Sequence, residues 1–368
     1  MKIGIDARSV GTKICGVSRV AISQIMALAA LDQANDYIVY TEVLDKIPGL
    51  SDNFHVVRTD CNRMNAFHDF HLYKRLKADN LEVLHVMHSW LPLFIPKHVK
   101  KLVTIHDIFT VTDPDFFSKR RPFHLIFRCY FAMLTWLTVK RADVIITISS
   151  FCVNEIKRLF KLQSKRFEIV HNAPGIKQKL NIKCSDVLVE HDYLFYLGNF
   201  RSYKNVPTLI KGYAHLLHSA DLSIDLVIAG NDDIEQIKTL CSELGILNNV
   251  HFFHRPSDET VDNLYRNAKV FVFPSLFEGF GIPPIEAMTY GVPVIISDAE
   301  ALVETSGDAA LVFDRTNPKD LAAKIKLILN DSNLRNDLIQ RGFECARRYT
   351  WENSAKQLKA VYESLQGE

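Results

Sequence analysis

The segment Phe273–Met288 reads FPSLFEGFGIPPIEAM and decides the fold of the second half of the chain. It continues the apolar run Val270–Phe273, whose β-branched and aromatic residues are typical of a buried parallel strand. A loop with two glycines follows, and two consecutive prolines then suit the first turn of a helix. We predict a strand, a loop containing Glu278 and a helix with Glu286 in its first turn. Ligands bind open α/β sheets at this carboxyl end of the strands.

The chemistry of this loop suits a nucleotide sugar. Glycine lets backbone N–H groups approach a ligand closely, and a helix N-terminus offers free N–H donors to a phosphate. Two carboxylates, Glu278 and Glu286, accept hydrogen bonds from sugar hydroxyl groups. The alternative is an ordinary strand–loop–helix connection whose glutamates are solvated.

A second segment offers positive charge to the same kind of ligand. Tyr193–Gly198 reads as a strand ending in glycine, and a helix opens at Val206. Arg201 and Lys204 lie between them, at the entry of the helix. Arginine can hold a phosphate through two parallel hydrogen bonds, and lysine adds a mobile point charge. We predict a diphosphate site here; the alternative is a basic helix cap or a surface ion pair.

Both segments resemble the retaining glycosyltransferases of family 4 (group 1), which have the GT-B architecture, and they look most like bacterial mannosyltransferases of surface-polysaccharide assembly. The resemblance implies that Glu278 and the loop amides hold the donor sugar, while Glu286 holds the ribose. It also matches His106, after the strand that begins at Leu102, and Gly16, in the first loop. The alternative for His106 is a core histidine bonded to backbone. The candidate catalytic residues are Glu278, His106, Arg201 and Lys204, and the candidate substrate-binding residues are Glu286, Gly16, Gly279, Phe280, Gly281, Ile282 and Arg255.

The domain organisation follows from length and pattern. The 368 residues can form two sizeable cores, and strands alternate with helical patterns throughout, which indicates an α/β protein with parallel sheets. We predict two Rossmann-like domains facing a central cleft, over residues 1–174 and 175–350. The tail 351–368 is an amphipathic helix that, by the resemblance, packs back on the first domain.

We expect no metal and no cofactor. Asp113-Pro114-Asp115 spells D-x-D, a metal-binding signature, but proline between aspartates is also a good turn sequence, and we favour the turn. His and Cys residues lack zinc spacing. The seven scattered cysteines and a first strand at the N-terminus, in place of a signal peptide, predict a reducing, cytoplasmic location.

The charge is unevenly distributed along the chain. Residues 1–174 carry a formal charge of +8 and residues 175–368 one of −6. A basic face can bind anionic lipid, so we expect peripheral contact with the cytoplasmic membrane; the alternative is solvated surface. Phe123–Val139 is apolar but interrupted by Arg128 and too short to span, which predicts a buried or membrane-surface helix. The basic runs lack the stacking aromatics of a nucleic-acid site.

The predicted reaction is transfer of a hexose from a nucleoside-diphosphate sugar to a glycan or polyprenyl-diphosphate-linked glycan, with retention of configuration. The resemblance makes GDP-mannose the first choice of donor and leaves UDP-glucose, UDP-N-acetylglucosamine and dTDP-rhamnose open. Two alternatives stand beside it. One is a nucleotide-sugar epimerase or phosphorylase of the same fold, and the other is a non-catalytic nucleotide-sugar-binding subunit.

Overall fold

The computed structural model describes residues 1–11, 16–44, 47, 50–59, 66–112, 121–175, 188–219 and 223–366, without the side chains of 66–69, 110 and 121–125. The chain divides into two compact units. The first comprises Met1–Gly175 and Thr350–Glu368, and the second comprises Ile176–Tyr349. Each unit is built around one parallel sheet, which confirms the α/β class with two Rossmann-like domains.

The first unit contains, within its described residues, a seven-stranded sheet in the order β3-β2-β1-β4-β5-β6-β7. The strands are β1 (Lys2–Asp6), β2 (Asp36–Thr41), β3 (Phe54–Arg58), β4 (Val83–Val86), β5 (Lys100–Ile105), β6 (Val144–Thr147) and β7 (Arg166–Ile169). The helices are α1 (Gly16–Leu31), α2 (Ala66–Ala78), α3 (Phe109–Thr112), α4 (Arg121–Arg141) and α5 (Ser150–Phe160). The central strands are buried on both faces because helices cover the sheet, and this explains their continuous apolar sequences.

The second unit contains, in the part of the chain that the structure describes, a six-stranded sheet in the order β10-β9-β8-β11-β12-β13. The strands are β8 (Tyr193–Leu197), β9 (Asp225–Gly230), β10 (Val250–His254), β11 (Val270–Phe273), β12 (Val294–Ser297) and β13 (Ala310–Phe313). The helices are α6 (Val206–Ser219), α7 (Glu235–Glu243), α8 (Asp258–Asn267), α9 (Ile282–Thr289), α10 (Glu300–Ser306), α11 (Pro318–Asn330) and α12 (Ser332–Arg348). The strand predicted from the apolar run Val270–Phe273 is therefore present as β11.

The last helix, α13 (Trp351–Glu363), belongs to the first unit. Thr350 caps it by accepting a hydrogen bond from the Asn353 N–H. Its buried face includes Leu358 and Tyr362, which join the core beneath α1. The Tyr362 hydroxyl lies 2.7 Å from Nδ1 of buried His85 in β4, so the end of the sequence completes the interior of the first unit.

Helix α4 contains the apolar run that predicted a buried or membrane-surface helix. One side of it is buried, including Phe131, Thr135 and Val139. Other large apolar residues of the same helix are exposed to solvent. Among the described residues, no helix combines the length and apolar content that crossing a membrane requires.

Candidate active site

Two loops of the second unit meet where the strand order of the sheet reverses. The chain runs outward from β8 through β9 to β10 on one side, and from β11 through β12 to β13 on the other. Strands β8 and β11 are neighbours, and both are parallel, so the loops that follow them leave the same edge of the sheet side by side. Such a topological switch point is where open α/β sheets bind ligands.

An ion pair joins these two loops. Lys204, in the loop after β8, places its Nζ 2.6 Å from Oε1 of Glu278, in the loop after β11. Each side chain is 12% exposed, so the pair is shielded but open to a ligand. The Lys204 ammonium also lies 4.9 Å from the ring centre of Phe273, the last residue of β11. Two residues separated by 74 positions are thus brought into direct contact, as their predicted shared role requires.

Hydrogen bonds to backbone carbonyls fix the spacing of the two loops. The Leu276 N–H donates to the Tyr203 carbonyl at 2.7 Å. The Asn205 side-chain amide donates to the carbonyls of Pro274 and Arg315, at 3.1 and 2.9 Å. Asn205 has a positive φ of 55°, a conformation that asparagine tolerates better than most residues. The ion pair therefore sits on a braced backbone rather than on two independent loops.

The glycine loop turns sharply into α9 at Gly281. This residue has a φ of 99°, and an added Cβ would lie 2.4 Å from Cδ2 of Leu302, so only glycine fits. The Thr305 hydroxyl donates to the Phe280 carbonyl at 2.7 Å and holds the turn. The Phe280 ring is buried edge-to-face against Tyr349. Phe280 can therefore contact a ligand only through its backbone.

The first turn of α9 begins at Ile282, with Gly279 and Gly281 in the loop immediately before it. Helix N-termini leave backbone N–H groups without intrahelical partners, and these groups suit an anion. The prolines at positions two and three of the helix lack an N–H, so the donors available here come from Ile282 and from the loop. The predicted arrangement of glycine loop and helix start is present.

Glu286 lies one residue further along α9 than the sequence predicted, just beyond the first turn. It is the fifth residue of the helix, because the helix begins at Ile282 rather than at the prolines. Its carboxylate is buried, and the Tyr265 hydroxyl of α8 lies 3.2 Å from Oε2. Burial raises the pKa of Tyr265 well above its ordinary value, and the neighbouring Glu286 carboxylate adds to this, so Tyr265 stays a neutral donor. Tyr265 is a contact that the sequence analysis missed.

The remaining predicted cations lie on exposed loops of the second unit. Arg201 precedes a short 3₁₀ turn, Ser202–Lys204, and the Lys204 N–H donates to the Arg201 carbonyl at 2.9 Å, so both cations belong to one turn. Arg255 follows β10 with a positive φ of 50°, and its N–H donates to the Gly230 carbonyl at 2.8 Å. Both arginine side chains are exposed.

The predicted residues of the first unit are in different surroundings. His106 follows β5, but its ring is buried and bonded to the backbone of Met87, in the manner of the core alternative. Burial lowers the pKa of His106 to about 4, so the imidazole is neutral at pH 7. Gly16 is the first residue of α1, and an added Cβ there would meet no described atom within 4 Å.

A buried polar cluster occupies the switch point of the first unit, and the sequence analysis did not foresee it. Strands β1 and β4 are neighbours there, and Asp6 ends β1. Asp6 accepts hydrogen bonds from Nε and Nη2 of Arg8 at 2.8 and 2.7 Å, and Nε2 of His88 lies 3.5 Å away. Burial would raise the pKa of Asp6, but Arg8 and His88 outweigh it and hold the pKa well below its usual value. The sequence signal for this cluster was an aspartate at the end of the first strand. Its histidine partner lies 82 positions further along the chain, so the sequence alone did not indicate the contact.

No group of three or more His, Cys, Asp or Glu side chains with metal-binding geometry occurs within the described ranges. Asp113-Pro114-Asp115, the D-x-D sequence, lies outside them. In the second unit Glu278 is paired with Lys204, and in the first unit Asp6 is paired with Arg8.

Two family models match nearly the whole chain between them. The model described as "Glycosyltransferase Family 4" matches residues 14–173, and the model described as "Glycosyl transferases group 1" matches residues 181–344. The second match contains both loops of the switch point, with Lys204, Glu278 and Glu286.

The chain is similar to curated proteins along all or most of its length. It is 25% identical to the O-antigen chain mannosyltransferase B of Escherichia coli, over 99% of this chain and 100% of that protein. It is 28% identical to the O-antigen chain mannosyltransferase RfbU of Salmonella typhimurium, over 76% of this chain and 72% of that protein.

A solved structure has the same fold. The sucrose-phosphate synthase of Thermosynechococcus elongatus superposes with a TM-score of 0.75 at 19% identity, over 99% of this chain and 98% of that one. With the two family models, a relative matched over its full length and the parallel-sheet units in agreement, the chain belongs to glycosyltransferase family 4, group 1.

Proposed function

We propose that the protein transfers a mannosyl residue from GDP-mannose to a hydroxyl group of a growing surface glycan, with retention of configuration. The observation that carries this proposal is the Lys204–Glu278 pair at the switch point of the second unit, beside the start of α9. The choice of mannose is supported by the names of the two relatives described above, which are O-antigen mannosyltransferases. The acceptor that fits such a role is a glycan, free or linked to polyprenyl diphosphate.

The two cations of the 3₁₀ turn bind the donor diphosphate. Lys204 holds three N–H donors, one of which reaches Glu278 without a ligand, so two remain for phosphate oxygens. Arg201, on the same turn, adds a planar fork that suits a second phosphate. Negative charge grows on the diphosphate as the glycosidic bond breaks, so these groups stabilise the transition state more than the bound donor.

The two glutamates have different roles because their surroundings differ. Glu278 faces the lysine and accepts hydrogen bonds from hydroxyl groups of the donor sugar. Glu286 is buried and held by Tyr265, and it accepts hydrogen bonds from the ribose. Neither acts as the nucleophile of a retaining glycosidase. The acceptor attacks from the side of the leaving diphosphate, which takes the acceptor's proton.

The positive charge that this mechanism needs comes from side chains and backbone amides. We therefore propose that the reaction requires no metal. Turnover in the presence of excess EDTA equal to turnover with added Mg²⁺ or Mn²⁺ would support this, and strict dependence on either ion would contradict it.

The test is a panel of GDP-mannose, UDP-glucose, UDP-N-acetylglucosamine and dTDP-rhamnose, assayed for nucleoside-diphosphate release with lipid-linked and free glycan acceptors. The proposal predicts acceptor-dependent release from GDP-mannose, with the α-anomer of the donor retained in the product. Interconversion of sugars without release would indicate an epimerase, and binding without either reaction would indicate a non-catalytic subunit.

Site variants test the same assignment. We expect Lys204→Ala and Glu278→Ala each to lower kcat about 10²-fold or more, because each removes a charged contact to the reacting donor. The matched controls are Lys238→Ala and Glu235→Ala, which break a Lys–Glu pair on the exposed surface of α7 and should leave kcat unchanged. Near-normal rates in both site variants would remove the pair from the active site.

A further inference from the structure

The loop that carries Glu278 is held in place by side chains from other parts of the second unit. Residues 274–281, all within the described ranges, contain neither helix nor strand. Their backbone groups therefore need hydrogen-bond partners from elsewhere in the unit. Three successive carbonyls before the glutamate, those of Pro274, Ser275 and Leu276, each accept a hydrogen bond from a side chain.

The three donors come from three different neighbours of this loop. Asn205, after β8, serves the first carbonyl, and Ser297, the last residue of β12, serves the second through its hydroxyl. Arg315, after β13, donates Nη1 to the third, the Leu276 carbonyl, at 2.8 Å. Of these three donors Arg315 is the charged one, and a charged donor makes the stronger hydrogen bond. Its acceptor is also the nearest of the three to Glu278, two positions away.

The remaining nitrogens of the Arg315 side chain bind the loop after β12. Nε donates to Oδ1 of Asp298 at 2.6 Å, and Nη2 donates to the Asp298 carbonyl. The Asp298 N–H in turn donates to the Phe313 carbonyl, at the end of β13, at 2.9 Å. The guanidinium therefore joins three loops at the carboxyl edge of the sheet, those that follow β11, β12 and β13.

The shape of the guanidinium explains why arginine suits this position. Its N–H groups point in fixed, different directions, whereas a lysine ammonium is one point charge on a flexible stem. The Arg315 side chain is 19% exposed, so its hydrogen bonds are partly shielded from water. Asp298 is 46% exposed, and an exposed ion pair by itself contributes little. The bonds from Arg315 to backbone carbonyls are therefore the ones that fix the loops.

Leu276 connects Arg315 to the ion pair of the active site. Its carbonyl accepts from Arg315, and its N–H donates at 2.7 Å to the carbonyl of Tyr203, the residue before Lys204. Two residues beyond Leu276, the Glu278 carboxylate lies 2.6 Å from the Lys204 ammonium. A displacement of about 1 Å at a reacting group can lower a rate about 10²-fold, so the position of this backbone matters for turnover.

We propose that Arg315 is a positioning residue: it holds the Leu276 carbonyl so that Glu278 meets Lys204 and the donor sugar in one fixed geometry. Arg315 acts through Glu278 rather than on the donor. The effect on turnover rests on the proposed function of Glu278, whereas the bracing of the loop does not. The competing interpretation is that Arg315 contributes to the stability of the second unit and nothing more.

The first test uses the free protein and depends on no substrate. Arg315→Met removes the three side-chain donors and keeps an unbranched side chain. We expect hydrogen–deuterium exchange in peptides covering residues 274–281 to rise about tenfold, because a hydrogen bond from a charged donor is lost. The matched control is Arg335→Met. Arg335, in α12, donates to two carbonyls in the last turn of α11, at the opposite end of that helix, and its loss should leave exchange in residues 274–281 unchanged.

The second test follows the consequence for turnover. We expect Arg315→Met to lower kcat about tenfold and to leave the affinity for GDP within about twofold of the wild type, because Lys204 and Arg201 keep their places. In a Glu278→Ala background the same substitution should change kcat less than about twofold, since the group that Arg315 positions is absent. Arg315→Lys retains the charge without the fork and should stay at least about threefold below the wild type.

Circular dichroism and the unfolding midpoint establish that each variant is folded. Unchanged loop exchange in Arg315→Met would overturn the bracing role, whatever the substrate. Additive losses of kcat when Arg315→Met is combined with Glu278→Ala would overturn the positioning role. So would wild-type turnover in Arg315→Lys, or a loss in Arg335→Met as large as that in Arg315→Met. If Glu278→Ala alone keeps wild-type turnover, the proposed function fails, and the exchange measurement still decides whether Arg315 braces the loop.

Discussion

Tyr265 controls the carboxylate that we assign to the ribose. Its single hydroxyl proton lies between two acceptors, Oε2 of Glu286 at 3.2 Å and the Pro283 carbonyl at 3.3 Å. Tyr290 stacks on it with ring centres 5.2 Å apart and directs its own hydroxyl to Asp262. Tyr265 is therefore fixed by packing and acts on the donor through Glu286, as a positioning residue.

Tyr265→Phe removes the hydroxyl and keeps the ring. We expect the KM for the donor to rise about fivefold with kcat little changed, because the lost hydrogen bond is worth about 1 kcal/mol and acts on binding. With a donor that contains 2′-deoxyribose, the wild type and Tyr265→Phe should have the same KM. The control Tyr290→Phe leaves Glu286 untouched, so a KM equal to that of Tyr265→Phe would refute the positioning role.

Residue patterns predicted some contacts and not others, for a physical reason. Lys204 and Glu278 were predicted to share a ligand because both segments resemble donor-binding segments of the family. The structure brings them into contact because each follows one of two neighbouring parallel strands. Asp6 and His88 were not paired in advance, although Asp6 ends β1 and His88 follows the neighbouring strand β4. Nothing local distinguishes a buried aspartate and histidine from solvated ones. The Tyr362–His85 contact joins residues 277 positions apart and depends on the whole first unit.

At the scale of a structural element, the turn at Gly281 sets the direction in which α9 begins. Gly281 satisfies two demands at once, since its φ is positive and the space for a Cβ is filled by Leu302. Gly245, between α7 and β10, has a φ of 68° but no heavy atom within 4 Å of an added Cβ. An alanine at Gly245 would therefore suffer backbone strain alone, whereas an alanine at Gly281 would suffer both backbone strain and steric overlap.

Gly281→Ala should lower the free energy of unfolding of the second unit by about 2–4 kcal/mol, since strain and overlap combine. Gly245→Ala should cost about 1 kcal/mol, from strain alone. Denaturant midpoints measured on the full chain compare the two. Equal midpoints would show that the contact with Leu302 relaxes freely, against the close packing described here.

Helix boundaries show why elements were easier to foresee than their surfaces. The apolar run Phe123–Val139 predicted a helix, and α4 covers it. Its exposed side could not be deduced, because both sides of α4 are apolar and periodicity alone does not tell which side faces the core. The first turn of α9 was placed one residue late because the prolines were taken as its start, although they occupy its second and third positions.

At the scale of the molecule, two buried histidines make the first unit sensitive to acid. Burial lowers the pKa of His85 to about 3 and that of His106 to about 4, from an ordinary value of 6.5. The unfolded chain binds more protons than the folded one between those values, so stability falls as the pH falls. The loss begins near pH 6.5 and continues to the folded pKa values. Below about pH 4, protonation of Asp6, whose pKa is also lowered, adds to it.

We expect the unfolding midpoint of the wild type to fall progressively between pH 7 and pH 4.5. His85→Gln should flatten this dependence, because glutamine does not titrate, even if it lowers the midpoint at pH 7. The control His98→Gln replaces an exposed imidazole that is hydrated in both states, and it should leave the slope unchanged. A slope in His85→Gln as steep as that of the wild type would exclude His85 as a source of the acid sensitivity.

The central claim is that Lys204 and Glu278 hold the two halves of one donor, the diphosphate and the sugar. Titration calorimetry of GDP and GDP-mannose into the wild type, Lys204→Ala and Glu278→Gln tests it most directly. The account predicts that Lys204→Ala weakens both ligands, whereas Glu278→Gln weakens GDP-mannose and not GDP, because only the first carries the sugar. Wild-type affinity for both ligands in both variants, or equal loss of both in Glu278→Gln, would contradict it.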